Sequence, residues 1–211
     1  MNKQEELWKS DFGMEYALRN PSNLNAMDKL YMDNFGITRT QLNEELLKGI
    51  DRNISILEVG CNTGSQLHIL EKMGFIDLSG IELVIESLLE AKRNYPRYNL
   101  IQANALDIPY KDKCFDLVFT SGVLIHIAED NLDKAMEEMY RVSNKYIWCY
   151  EYYSDERKMI NYRGIDNVLW KENFCKRFMD KYPDLELVAS KKINYLNTDN
   201  VDEMFLLKKR E

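Results

Sequence analysis

Histidine and cysteine are scarce in this chain of 211 residues, and their spacing does not suit metal or disulfide chemistry. Cys61, Cys114, Cys149 and Cys175 stand far apart and form no C-x-x-C pair. Such spacing fits reduced thiols better than a disulfide framework or a zinc site. His68 and His126 are the only histidines and make no H-x-x-x-H helix face, so no metal is expected. No apolar run reaches the roughly 18 residues of a membrane helix, so no membrane contact is expected either. Positive charge is in deficit, 28 Lys and Arg against 35 Asp and Glu for a net −7, which argues against a nucleic-acid backbone as partner. The one dense basic stretch, Lys208-Lys209-Arg210, reads as a solvated end. Met1–Glu6 lacks the apolar core of a signal peptide. There is no repeat, low-complexity segment or linker. These absences fit a cytoplasmic protein. With 45% hydrophobic and 30% charged residues, the length suffices for the core of one α/β domain.

The run Ile54-Ser55-Ile56-Leu57-Glu58-Val59-Gly60-Cys61-Asn62-Thr63-Gly64 is the most informative stretch. An apolar strand ends on Glu58, and Gly60 and Gly64 frame a tight loop that opens a helix. Glycine there lets backbone approach a nucleotide-like ligand. Glu82 closes the next strand-like run, Ile76–Ile81, where a carboxylate accepts bonds from ribose hydroxyls. A dinucleotide fingerprint G-x-G-x-x-G is not met from Gly60, since Asn62 and Ser65 stand at its later glycines. This disfavours a nicotinamide-dependent reductase. The run reads better as E/D-x-G-x-G-x-G with Asn62 at the middle glycine, a tolerable exchange because Asn enters left-handed backbone space readily.

Two further pieces follow in order. Ile101–Tyr110 resembles the pattern G-D-A-x-D-L-P-F, with Asn104 at the position of an acid that takes an adenine amino group. Phe115–His126 resembles the F-D-L-V strand and the loop after it. Together the four pieces resemble the motifs of class I S-adenosylmethionine (SAM) methyltransferases.

The pattern along the chain predicts a helical segment over the first ~50 residues, expected to act as a lid or cap, and a SAM-binding unit over 51–211. Thr38-Arg39-Thr40-Gln41 has capping-box spacing. Strands are predicted at 54–59, 76–82, 99–103, 115–120 and 145–153, with helices at 65–73, 84–94 and 131–143, the last starting from Asp130. A less regular stretch, a helix near 171–181 and strands near 185–196 and 201–208 complete the chain, the two strands joined across 197–200. The expected fold is a Rossmann-like, seven-stranded, mostly parallel sheet with one antiparallel strand and helices on both faces.

Nearly the whole chain is also similar to the pseudaminic acid biosynthesis-associated methylases. The words that carry this likeness include Phe12-Gly13, Tyr16, Arg19-Asn20, Gly60–Leu67, Glu151-Tyr152-Tyr153, Tyr162-Arg163-Gly164, Leu169-Trp170-Lys171 and Asp202-Glu203-Met204-Phe205. The resemblance implies a SAM-dependent enzyme associated with bacterial surface-sugar pathways. Its acceptor would be a small polar metabolite such as a nonulosonic acid pathway sugar or sugar nucleotide. Rival readings are attack on a non-methyl carbon of SAM with release of methylthioadenosine, and a SAM-binding protein without catalysis.

The cofactor set is Glu58, Gly60, Asn62, Gly64, Glu82, Leu83, Asn104, Ala105, Leu106 and Ser121, where Glu58 either meets the ligand or orders the loop. His126 and Tyr152 are the catalytic candidates. His126 is either a general base or a histidine bonded to backbone. Tyr16, Arg19, Glu151, Tyr153, Tyr162 and Arg163 are the substrate candidates; strand alternation lets only part of the 151–153 trio line one pocket. Neither the attacked atom nor an oligomeric state is read from these motifs.

Overall fold

The computed structural model describes residues 3–10, 12, 13, 15 and 23–210; Tyr16 and Arg19 lie outside them. Helix α1 (Lys3–Trp8) precedes α2 (Leu24–Phe35) and α3 (Arg39–Leu46). Asn23 starts α2 by accepting the Ala26 N–H, and Gly36, at φ 70°, ends it. The predicted capping box is present at α3. Thr38 accepts the Gln41 N–H, and the Gln41 side chain accepts the Thr38 N–H.

The sheet then builds by alternation: β1 (Ser55–Val59), α4 (Ser65–Lys72), β2 (Asp77–Glu82), α5 (Ile85–Asn94), β3 (Asn99–Gln102), β4 (Phe115–Ser121), α6 (Glu129–Val142) and β5 (Ser143–Tyr152). A two-stranded hairpin, β6 (Lys158–Met159) and β7 (Trp170–Lys171), interrupts before α7 (Phe174–Lys181), β8 (Leu185–Asn194) and β9 (Val201–Lys209). The seven long strands lie in the order β3-β2-β1-β4-β5-β9-β8. Their pairings are parallel except at β9, which runs antiparallel to both β5 and β8.

Apolar side chains cover both faces. One face packs under α2–α5 through Leu42, Leu67, Leu70, Leu88 and Trp148, the other under α6 and α7 through Leu132, Met136, Met139, Phe174 and Phe178. β1 and β4 are buried almost throughout, as strands with helices on both faces must be.

Two local expectations change. Helix α6 starts at Glu129 with Ala128 at its cap and no side-chain cap bond, so Asp130 belongs to the first turn, where its charge suits the helix dipole. The stretch expected to be irregular contains the β6–β7 hairpin, tied down at its base by Arg157. That guanidinium bonds Glu172 (2.6 Å), Glu129 (2.9 Å) and the Ile127 carbonyl (2.9 Å), and its Cζ lies 5.0 Å from the Trp170 ring centre. All four cysteines are free thiols. No described helix is long and apolar enough to cross a membrane, and no cluster of metal-ligating side chains occurs among the described residues.

Candidate active site

The parallel strands and the reversed β9 bring one edge of the sheet together, and a cavity of about 490 Å³ opens along it. At its floor, Gly60 (φ 75°) and Asn62 (φ 48°) adopt left-handed backbone, so Asn62 takes the glycine-like conformation expected of it; Gly64 (φ 82°) is left-handed too but caps α4 off the cavity wall. At Gly60 the space a Cβ would fill belongs to the protein: it would lie 2.6 Å from Val123 Cγ2. The bare Cα therefore seats the β4 loop against the β1 loop, as well as leaving backbone open to a ligand. Gly80 does the same for Cys61, whose sulfur would be 2.8 Å from a Cβ there. The Cys61 thiol is buried, and burial beside Glu58 and Glu82 pushes its pKa well up, leaving an inert small side chain.

Glu82 ties the β1 loop to the turn after β2. Its oxygens accept the N–H of Asn62 (2.8 Å) and of Val84 (2.8 Å), and each keeps a lone pair for a further donor. Burial raises its pKa while these N–H groups lower it. Glu58 is 2% exposed. Burial pushes its carboxyl well above the usual range, Glu82 raises it further, and Arg39 and the Leu67 N–H oppose. Its Oε2 is buried without a partner, on a residue that lines the cavity.

Leu83, Asn104, Ala105, Leu106 and Ser121 complete this end of the wall. The Asn104 side-chain oxygen accepts the Leu106 N–H (3.0 Å), shaping the turn.

The remaining candidates separate. His126 lines the cavity. Its Nδ1 lies 2.7 Å from the Val168 carbonyl, which only accepts, so Nδ1 carries the proton and Nε2 the lone pair. Burial lowers its pKa to about 4, which makes it a neutral imidazole near pH 7 and a weak base. Trp8 packs edge-on to this ring at 4.7 Å and Tyr162 at 5.7 Å. Tyr152 and Tyr162 line the cavity.

Glu151 does not line it. It is 1% exposed and accepts the N–H groups of Val123 (3.2 Å) and Ile125 (3.3 Å), so it holds the β4 loop from beneath. Burial pushes it up to about 7. Tyr153 points elsewhere, with its hydroxyl on Asp155 and Lys192 Nζ 3.7 Å from its ring centre. Arg163 sits exposed at the tip of a tight turn, Tyr162 to Ile165, with φ 53°; it too is off the cavity wall.

Side chains not singled out from the sequence also form this wall: Tyr31, Gln66, Tyr150, Tyr195 and Asp202. Tyr150 donates to Asp202 Oδ2, and Tyr195 approaches the same oxygen at 3.3 Å. Burial pushes the Asp202 carboxyl up to about 7. The buried oxygens on this wall that lack a partner are Glu58 Oε2, Asn62 Oδ1, Gln66 Oε1 and Asp202 Oδ1. Asn62 Oδ1 and Gln66 Oε1 accept hydrogen bonds, and Glu58 and Asp202, whose pKa values burial raises, accept once ionised, so the cavity suits an occupant that brings donors or positive charge.

Residues 57–146 match the family described as a methyltransferase domain. The fold is that of the class I methyltransferases. Among solved structures, Burkholderia thailandensis 1,6-didemethyltoxoflavin-N1-methyltransferase, bound to 1,6-didemethyltoxoflavin and S-adenosylhomocysteine, superposes with a TM-score of 0.72. It is 12% identical, over 100% of this chain and 92% of that one. An uncharacterized protein of Methanocaldococcus jannaschii is 34% identical over 118 residues, covering 56% of this chain and 43% of its own length. Demethylmenaquinone methyltransferase of Chlorobaculum tepidum is 28% identical over 120 residues, or 56% of this chain and 48% of that protein. The chain thus spans less than half the length of the curated relatives it matches.

Proposed function

We propose that this protein is a SAM-dependent methyltransferase acting on a small polar metabolite. The observation that carries this reading is the row of unpartnered acceptor oxygens along the cavity. SAM brings what such a row requires: ribose hydroxyls, an ammonium group and a sulfonium cation. Glu82 would take the ribose hydroxyls on its remaining lone pairs, Asn104 the adenine amino group, and Glu58 with Asn62 the methionine end beside Gly60. When bound, SAM supplies an electrophilic methyl carbon.

The chain's own residues do the rest. Acidic groups at the floor favour a cation, the N-terminal segment excludes water, and the walls orient an acceptor in line with the reacting carbon. Trp8 and Gly13, together with Met27, Leu30 and Tyr31 of α2, stand over this edge, which supports a lid role for residues 1–50. His126, neutral at pH 7, serves as a hydrogen-bond acceptor that orients a hydroxyl or amine; its low pKa makes it a poor proton store. Orientation alone can supply several kcal/mol toward methyl transfer. The likeness to the pseudaminic acid-associated methylases supports a surface-sugar pathway metabolite as acceptor.

The test is mass spectrometry of every product formed from SAM by the purified protein, alone and with small-molecule extract of a bacterium that makes nonulosonic acids. S-adenosylhomocysteine that appears only with extract, beside a metabolite one CH₂ heavier, is the expected result. Methylthioadenosine above a no-enzyme blank would replace methyl transfer with cleavage at another carbon. Tight SAM binding without any product would leave a sensor.

A further inference from the structure

The end of the cavity farthest from Glu82 is walled by tyrosines around one carboxylate, and the motifs gave it no role. We propose that this lobe recognises the methyl acceptor through Asp202, and that the acceptor is an uncharged, hydroxyl-bearing molecule. The inference rests on the SAM reading of the opposite end.

Position comes first. β9 runs against its neighbours, so its N-terminal residue pair, not its C-terminal one, reaches the ligand edge. There Asp202 pairs in register with Tyr152 of β5 and with Ile193 of β8. In the order β3-β2-β1-β4-β5-β9-β8, Glu82 and the β1 loop occupy one half of that edge, and Asp202 lies two strands beyond β4. A ligand filling the cofactor half would leave this lobe for its reaction partner.

Chemistry follows. Asp202 is 1% exposed. Its Oδ2 is used by the hydroxyls of Tyr150 and Tyr195, while Oδ1 is buried with no partner on a cavity-lining residue. A buried carboxylate oxygen left unpaired is costly, so its natural complement is an O–H or N–H donor from the occupant. Aromatic walls stand round it, with Tyr152 and Tyr195 ring centres 6.2 Å apart and Tyr31 and Tyr150 5.7 Å apart. Such faces suit the C–H surfaces of a small ring.

Charge then narrows the class. No Lys or Arg lines the cavity among the described residues, so the described wall offers an anionic acceptor no counter-charge. A cationic one meets two cations already placed behind it. Arg39, wholly buried, lies 4.1 Å from the Tyr150 ring centre, and Lys171 Nζ lies 5.6 Å from that of Tyr152. These two faces of the aromatic wall are spoken for, and both charges favour an ionised Asp202. A neutral hydroxyl donor completes Oδ1 without adding charge.

The experiment loads the intact protein with S-adenosylhomocysteine and measures binding of matched pyranose probes by saturation-transfer NMR and calorimetry. The probes are N-acetylglucosamine (uncharged), glucosamine (cationic) and glucuronic acid (anionic). N-acetylglucosamine should bind saturably and most tightly. Asp202→Asn must turn its amide oxygen to the two tyrosine hydroxyls and present N–H to the cavity, so it should bind that probe about tenfold more weakly, with S-adenosylhomocysteine affinity unchanged. If Asp202→Asn loses S-adenosylhomocysteine as well, Tyr152→Leu carries the test, with the same expected loss. Tighter binding of either charged probe, no saturable binding of the uncharged one, or undiminished binding by the informative variant overturns the proposal. Failure of the wild-type protein to bind S-adenosylhomocysteine at all would instead overturn the cofactor reading.

Discussion

Gly60 carries two constraints that no other residue meets together: a φ of 75° and a neighbour, Val123 Cγ2, where a Cβ would fall at 2.6 Å. Gly60→Ala should therefore destabilise the fold by about 2 kcal/mol or more, from strain plus overpacking. Urea unfolding checks this, and an unchanged midpoint would mean that Val123 moves aside without cost. Glu82 presents a different balance, because its carboxylate serves the loop before it serves a ligand. Glu82→Ala removes both roles, and S-adenosylhomocysteine affinity measured by calorimetry should fall at least about tenfold. Asn62 was legible as a left-handed residue because its side-chain type and its place between two glycines agree. Glu151 was not. Alternation puts it on the opposite face from Tyr152, but which face meets the cavity depends on the loop 121–126 folding back over β5, and no local pattern encodes that return.

Elements whose apolar runs are flanked by capping or turn residues could be read directly, as β1, β2, β4, α4 and α5 show. Their sequences satisfy a periodicity and a boundary signal at once. The β6–β7 hairpin escapes such reading because each strand is two residues long; contacts of Arg157 and Trp170 with distant segments hold it, not its own pattern. Helix α3 shows the reverse case. Its capping box was legible from Thr38 and Gln41, and it positions Arg39, whose guanidinium donates to Asn43 (2.9 Å) and Tyr31 (2.9 Å). Thr38→Ala should cost about 1 kcal/mol by removing the cap, read as a lowered urea midpoint. An undiminished midpoint would show that packing of Arg39 alone fixes the helix start. Asp202 belongs with the illegible part, since its meaning lies in the pairing Tyr152↔Asp202 and not in its neighbours along the chain.

For the molecule as a whole, buried acids set the response to pH. Burial pushes Glu151 and Asp202 up to about 7, and Glu58 and Glu82 upward as well. Between the ordinary carboxylate range and about pH 7, the folded state holds protons that the unfolded chain has released, so stability falls as pH rises through that window. His126 works in the other direction: its pKa falls to about 4, so its contribution is complete above the ordinary histidine value and is lost as pH drops toward 4. The acids outnumber it. At the acid limit Glu138, held down to about 2 chiefly by Arg141, and the similarly depressed Glu129 and Asp116 withdraw their support. The Tm of the ligand-free protein should thus be higher near about pH 5 than near about pH 7.5, and a Tm rising steadily to pH 8 would contradict this. The strand order has a separate consequence, in time. β8 leaves the ribosome before β9, yet β9 must occupy the place between β5 and β8 before β8 can join the sheet. Until then β5 is a bare edge, open to pairing with another chain. The half of the molecule that holds Glu82 and the β1 loop can thus assemble early, while the half holding Asp202 waits for β9, so under the proposed roles a nascent chain would meet SAM before it could recognise an acceptor.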